Sequence, residues 1–314
     1  MTSTLTPRIV LGLLFTVLGA GARAQGVAAL PKDSVTVPEA IGACTRTVPP
    51  DGNLQQVLRR AHDGDVICLV PGATYAPFVL PQRADTGWVV LRTASPDSAF
   101  ALPGVRVRPG AAPKLARVVQ VNNDAAIRTQ PRAAGWRLIG LEVSTDVLSY
   151  AIITLGAPNA PQTTLDVVPR KLILDRLYVH GTPSQTVRRC VALNSASTAI
   201  VNSWMDDCHE KGADSQAILG WNGPGPYLIE NNALAGAGEN IMFGGADPSI
   251  PGLIPADIII RRNHVFTPLA WRGRWTKKNV FELKNAWRVL VEGERVRGLV
   301  ARRPNRLRHR PQEQ

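Results

Sequence analysis

Five short runs of the chain resemble one another: LILDRLYVHG from Leu172, AIVNSWMDDC from Ala199, LIENNALAGAG from Leu228, IIIRRNHVF from Ile258 and VLVEGE from Val289. Registered on one position, they place Leu177, Ser203, Asn232, Asn263 and Glu294 in equivalence, at spacings of 26, 29, 31 and 31 residues. A period of this size with β rather than helical content indicates a β-solenoid. No single unit can bury its own apolar face, so the units stack into one continuous core. Asn232 and Asn263 at the turns can hydrogen-bond along the stack, as side-chain amides do in stacked β-structures. A β-sandwich also alternates its strands, but the matched Ile-x-x-Asn units at solenoid spacing argue against it.

A second strand recurs between these runs: CVALNS from Cys190, QAILGW from Gln216, NIMFGG from Asn240 and VFELKN from Val280. Taking Leu193, Leu219, Phe243 and Leu283 as inward forces Val191, Ala217, Ile241 and Phe281 inward too, because strand side chains alternate. Cys190, Gln216, Asn240 and Val280 then stack on the outside, as do Ala192, Ile218, Met242 and Glu282, and Asn194, Gly220, Gly244 and Lys284. Helical periodicity is confined to residues 53–62 (NLQQVLRRAH). There Leu54, Val57 and Leu58 make one apolar stripe, and Asp51 or Asn53 can cap the start, giving a short helix that plugs the end of a solenoid.

The chain opens with Arg8, an apolar run from Ile9 to Leu18 and small residues up to Ala24. This pattern predicts a signal peptide over 1–24, too short in its apolar part to span a bilayer, and a secreted or periplasmic protein with no membrane attachment after cleavage. Residues 25–50 read as an N-terminal extension, 51–293 as the β-helix, and 294–314 as a basic tail that is disordered or frameshift-derived, since VEGE stands where another asparagine-marked rung is expected. Four cysteines in an exported chain suit disulfides, and pairing Cys44 with Cys68 and Cys190 with Cys208 closes the shortest loops, although three connectivities are open. The net charge of +12 falls to +10 without Arg8 and Arg23, and the tail from Glu294 holds +5 of that. The modest charge on the rest suits an acidic polysaccharide rather than nucleic acid.

GDVICLVPGATY from Gly64 resembles the first strand of secreted right-handed parallel β-helix proteins similar to pectate lyases, chondroitinase B and alginate lyases. LIENNALAGAG and IIIRRNHVF resemble their asparagine-marked rungs. The resemblance covers residues 51–293 and implies an all-β parallel β-helix. It also implies eliminative cleavage of uronate chains, which needs a cation to neutralise a carboxylate and a base of lowered pKa. LKNAWRVLVEG resembles the stretch in which an outward-facing lysine is the base, which singles out Lys284. Where that group has two acidic calcium ligands, this chain has Lys277 and Asn279.

Glu282 points the same way as Lys284, and Glu239, Asn240 and Asp247 belong to the neighbouring coil. Their oxygens suit a hard cation, which makes Glu239 and Asp247 the candidate calcium ligands; solvated ion pairs with Lys284, Arg261 or Arg262 are the plainer expectation. His209, in the loop HEKGAD, is a candidate acid or base near neutral pH. Asn240, Arg262, Trp221 and Trp271 are candidate contacts to sugar, the tryptophans by stacking on rings or by packing a loop against the scaffold. Asp206 and Asp207 invite comparison with polygalacturonases, but that group's Gly-His-Gly and Arg-x-Lys elements are missing and a turn beside a disulfide is expected. The sequence therefore predicts a monomeric, secreted β-helix that binds an acidic polysaccharide and cleaves it by β-elimination. Its alternative is a non-catalytic carbohydrate-binding or surface β-helix, and a glycoside hydrolase ranks below both.

Overall fold

A computed structural model describes residues 29–298 apart from Ala40 and residues 84–86; the expected signal peptide and residues 299–314 lie outside the described residues. The chain coils through three parallel sheets of nine, seven and eight strands, and every strand pair in them is parallel. A coil visits the sheets in a fixed order. One coil runs through Ala196–Val201 in the first sheet, Trp204–Cys208 in the second and Gln216–Gly220 in the third, before Gly225–Glu230 begins the next. The protein is a parallel β-helix, with the right-handed crossover that parallel connections adopt in nearly all proteins.

The equivalence read from the repeats is the geometry of the corner between the first and second sheets. The Leu177 amide donates to Ser203 Oγ at 3.0 Å, the Ser203 amide to Asn232 Oδ1 at 2.9 Å, and the Asn232 amide to Asn263 Oδ1 at 2.9 Å. The Asn263 amide in turn donates to Glu294 Oε1 at 3.1 Å. Asn232 and Asn263 are buried, and their amide groups also donate to Ile200 O and Ile229 O of the preceding strands. The residue before each ladder position has positive φ: Arg176, Asn202, Asn231, Arg262 and Gly293 lie between 53° and 65°. That left-handed residue turns the chain sharply, and asparagine and glycine adopt it at least cost.

Two features differ from the sequence reading. Arg295–Arg297, placed there in a patternless tail, pairs with His264–Phe266 as the last strand of the second sheet, and Glu294 takes the ladder position of an asparagine. In the third sheet, Val191, Ile218, Ile241 and Phe281 are in register, so QAILG is slipped by one residue from the expected alternation. Ile218 enters the core, and Leu219 faces out against Trp221 and Met242. All five residues of this strand are buried, so apolarity could not mark its inner face. Gly220 fixes the register, since a Cβ there would lie 2.0 Å from Leu193 O.

The helix Leu54–Arg59 starts at Asn53, whose side chain accepts from the Gln56 amide, and buries Leu54 and Leu58. Gln55 holds both the amide and the carbonyl of Val79, so the helix closes the end of the core. The disulfides are Cys44–Cys68 and Cys190–Cys208. The N-terminal extension crosses the outside of the first sheet, packing Val35 and Val37 on an apolar strip of Ile173, Ala199, Val201 and Leu228. Beside it Arg137 and Arg176 both pair with Asp175, and all three side chains are nearly inaccessible.

Two expected outcomes follow from these buried polar groups. Asn263→Ala removes the acceptor of the Asn232 amide and the donor to Ile229 O, and chemical denaturation should show a loss of about 2–4 kcal/mol. Asp175→Asn leaves the buried Arg137 guanidinium without its carboxylate and Arg176 with Asp97 alone, and should cost about 3–5 kcal/mol.

Candidate functional site

The outer face of the third sheet collects the charged residues of three coils. Gln216 and Glu239 are paired across adjacent strands, and on the next strand Glu282 lies beside Met242. Lys284 follows directly, its amide donating to Phe243 O at 2.8 Å. Glu239 is buried, and its carboxylate accepts from Gln216 Nε2 at 2.7 Å and lies 3.0 Å from Lys278 Nζ. The same ammonium group lies 2.8 Å from Asp214 and 3.9 Å from Glu282. Among the described residues Lys284 Nζ has a single looser partner, Glu282 at 3.5 Å, and its side chain is 42% exposed.

Lys278 owes its position to the loop before the third-sheet strand Phe281–Leu283. The loop carries Trp271 and Trp275, which enclose His209: Trp275 stacks on the imidazole at 3.9 Å between centroids, and Trp271 meets it edge-on at 5.0 Å. The Thr276 amide donates to Glu210 O, and the Gly212 amide donates to Thr276 Oγ1, joining this loop to the one at 209–215. Together the two loops, 209–215 and 268–280, bring five basic residues, Lys211, Arg272, Arg274, Lys277 and Lys278, against two acidic ones, Glu210 and Asp214. A polyanion approaching this edge meets net positive charge.

The lysines differ electrostatically. The carboxylates of Asp214 and Glu239 raise the Lys278 pKa above the ordinary lysine value, so this amine stays protonated. Burial, helped by Arg272, lowers the pKa of Lys277, whose Nζ is enclosed without a hydrogen-bond partner. Burial raises the Glu239 carboxyl, with Gln216 and Lys278 acting against it.

Of the residues singled out from sequence, the structure brings together Lys284, Glu282 and Glu239. Asn240 is buried, and its Oδ1 accepts the Gly236 amide, so it shapes the corner between strands. His209 is fully enclosed and lies in a loop's packing rather than in a cleft. Its Nε2 is 3.5 Å from Asp207. Trp271 is part of that packing. Trp221 lies outside the third sheet, donating from its indole to Pro158 O at 3.0 Å. Arg262 is on another corner, paired with Glu230 beside a cavity of about 960 Å3 on the outside of the first sheet. Asp206 and Asp207 lie in a second-sheet strand with a register irregularity, not in a turn, and burial and the charge of Asp207 raise the Asp206 carboxyl.

Asp247 is exposed in the loop after Glu239–Phe243. With Lys278 in place, the oxygens of Glu239, Asp214 and Glu282 already surround an ammonium group. A calcium ion at Glu239 would have to displace that ammonium group, so the residues as arranged do not fit the ion. Sequence reasoning missed Lys278, Asp214 and Gln216. Lys278 lies between the two positions compared with calcium ligands, and only the folded loop turns it towards Glu239.

No protein-family model matches the chain, and no curated protein matches it. Among solved structures, the chain is similar to an alginate lyase from Paenibacillus sp. str. FPU-7. The two share 12% identity over 80% of this chain and 100% of that one, with a TM-score of 0.38. It is also similar to the pectate lyase Pel9A, at 12% identity over 80% of this chain and 78% of that one, with a TM-score of 0.29.

Proposed function

We propose that this protein binds an acidic polysaccharide along the outer face of the third sheet and cleaves it by β-elimination, with Lys284 as the base, in an extracellular or periplasmic setting. What carries the reading is the division of labour between two lysines on one face. Lys278 is held as a cation by Asp214 and Glu239. Lys284 is more open and has one looser partner. The two disulfides suit an oxidising compartment, and the basic loops 209–215 and 268–280 suit a polyanion.

In the reaction, the neutral Lys284 amine takes the proton beside the uronate carboxylate. The electron pair forms the ring double bond as the glycosidic C–O bond breaks, the departing sugar oxygen takes a proton from water, and the Lys284 ammonium group returns its proton to the resulting hydroxide. Positive charge to offset the carbanion that develops next to the carboxylate comes from the basic loops 209–215 and 268–280, with Arg272 and Arg274.

The test is the ultraviolet absorbance of unsaturated uronate product from pectate, alginate and chondroitin. Lys284→Ala should lower the rate by about 10²–10⁴-fold, the contribution of a general base, while leaving the thermal midpoint within a few degrees. Loss of turnover in Lys277→Ala but not in Lys284→Ala would move the base to the enclosed lysine. Binding of a polysaccharide without product from any of them would assign the protein to the non-catalytic class.

A further inference from the structure

Arg189 has no ion-pair partner among the described residues, although it is only 6% exposed. It opens the third-sheet strand Arg189–Leu193 and pairs in register with Gln216, which pairs with Glu239. It therefore stands on the row that leads through Glu239 to Lys278, two strands away from Glu239, roughly 10 Å at the usual strand spacing. Its Nε and Nη1 make no hydrogen bond, and the side-chain hydrogen bond the guanidinium does have is to the neutral Tyr150 hydroxyl. The nearby carboxylate of Glu210 is taken by Arg188 at 3.0 Å. What surrounds the guanidinium is aromatic: the Tyr150 ring lies 4.3 Å from it and the Trp221 ring 5.5 Å.

A guanidinium group in this position is expensive. Removal from water costs a charged group far more than a neutral one, and contact with ring faces returns only part of that cost. Elsewhere in this protein, buried arginines are matched: Arg137 and Arg176 share Asp175. Arg189 lacks such a match and stands at the outer edge of the solenoid, beneath a tyrosine that is 42% exposed. A rotamer change of Tyr150, of the kind that commonly accompanies binding, uncovers the two free donors and offers its ring to a sugar face.

We infer that Arg189, with Tyr150 and Trp221, forms a carboxylate-binding subsite for one uronate unit of an acidic oligosaccharide lying along the third sheet. Guanidinium is the side chain that matches a carboxylate with paired donors, and the two rings supply the apolar surface that pyranose faces pack on. The inference rests on the proposed polysaccharide-binding face, and it places a binding contact several coils from the reacting bond. A carboxylate held here fixes the sugar chain's register relative to Lys284.

The experiment measures binding of galacturonate and mannuronate hexamers, and of their carboxyl-reduced counterparts, to the full protein and to Arg189→Met. Trp221 fluorescence or calorimetry provides the readout. The wild type should bind at least one acidic hexamer, and Arg189→Met should weaken that binding by 10-fold or more. The two proteins should bind the reduced hexamers equally. The thermal midpoint of Arg189→Met should be unchanged or higher, because the substitution removes unsatisfied buried donors. Equal affinity of the wild type and Arg189→Met for the acidic hexamers, or no binding of either hexamer by the wild type, would overturn the subsite. The lyase reading fails separately. Arg189-dependent binding without unsaturated product leaves the subsite standing, whereas product formed at normal hexamer affinity in Arg189→Met removes the subsite and leaves the lyase.

Discussion

At every coil the chain must turn inside the molecule, and a turn breaks the strand ladder while its backbone amides remain buried. Each unpaired buried amide costs about 1–3 kcal/mol, and this corner recurs coil after coil. The protein meets the constraint with side chains that reach along the stack: Ser203, Asn232, Asn263 and Glu294 each accept the amide of the equivalent residue one coil earlier. The ladder sets the phase of the coils. Once that phase is set, the outer rows of the third sheet are aligned and residues far apart in sequence become neighbours.

The ladder was legible in the sequence because its chemistry is positional. From Ser203 onward every residue in that slot is a serine, an asparagine or an acid able to accept an amide, so spacing reveals the coil. Inside and outside were harder to read where both faces of a strand are covered. QAILG was misplaced by one residue because Leu219 has a second apolar environment, made by Trp221 and Met242 on the outside of the helix. What fixes the register is a clash, the absence of room for a side chain at Gly220, and sequence alternation carries no signal for it.

The site was legible only in part, for a related reason. Glu239, Glu282 and Lys284 lie on strands, and register brings them together. Lys278 reaches the same place from a loop, held down by Trp271 and Trp275 around His209. That packing turns a residue that looked like a candidate acid or base into part of the loop's foundation. It also gives the buried Glu239 carboxylate its cation. The tryptophans resolve in the same way: Trp271 secures a loop, and Trp221 lies over a guanidinium.

Burial of charge separates the parts of this molecule that hold it together from the parts that face a ligand. Around Asp175 the protein supplies both signs, and the group is closed: the guanidinium ions of Arg137 and Arg176, the carboxylates of Asp175 and Asp97, and a covering N-terminal segment. At Glu239 it also supplies both signs, but the partner comes from a loop and stays partly exposed, so the charge is fixed and still within reach of solvent. At Arg189 it supplies one sign only, with ring faces in place of an anion. A fold that satisfies its buried polar groups so consistently along the ladder has no structural need for an unmatched guanidinium on its outer row. The missing charge is an anion, and the proposed carboxylate subsite rests on that physical argument, independent of sequence resemblance.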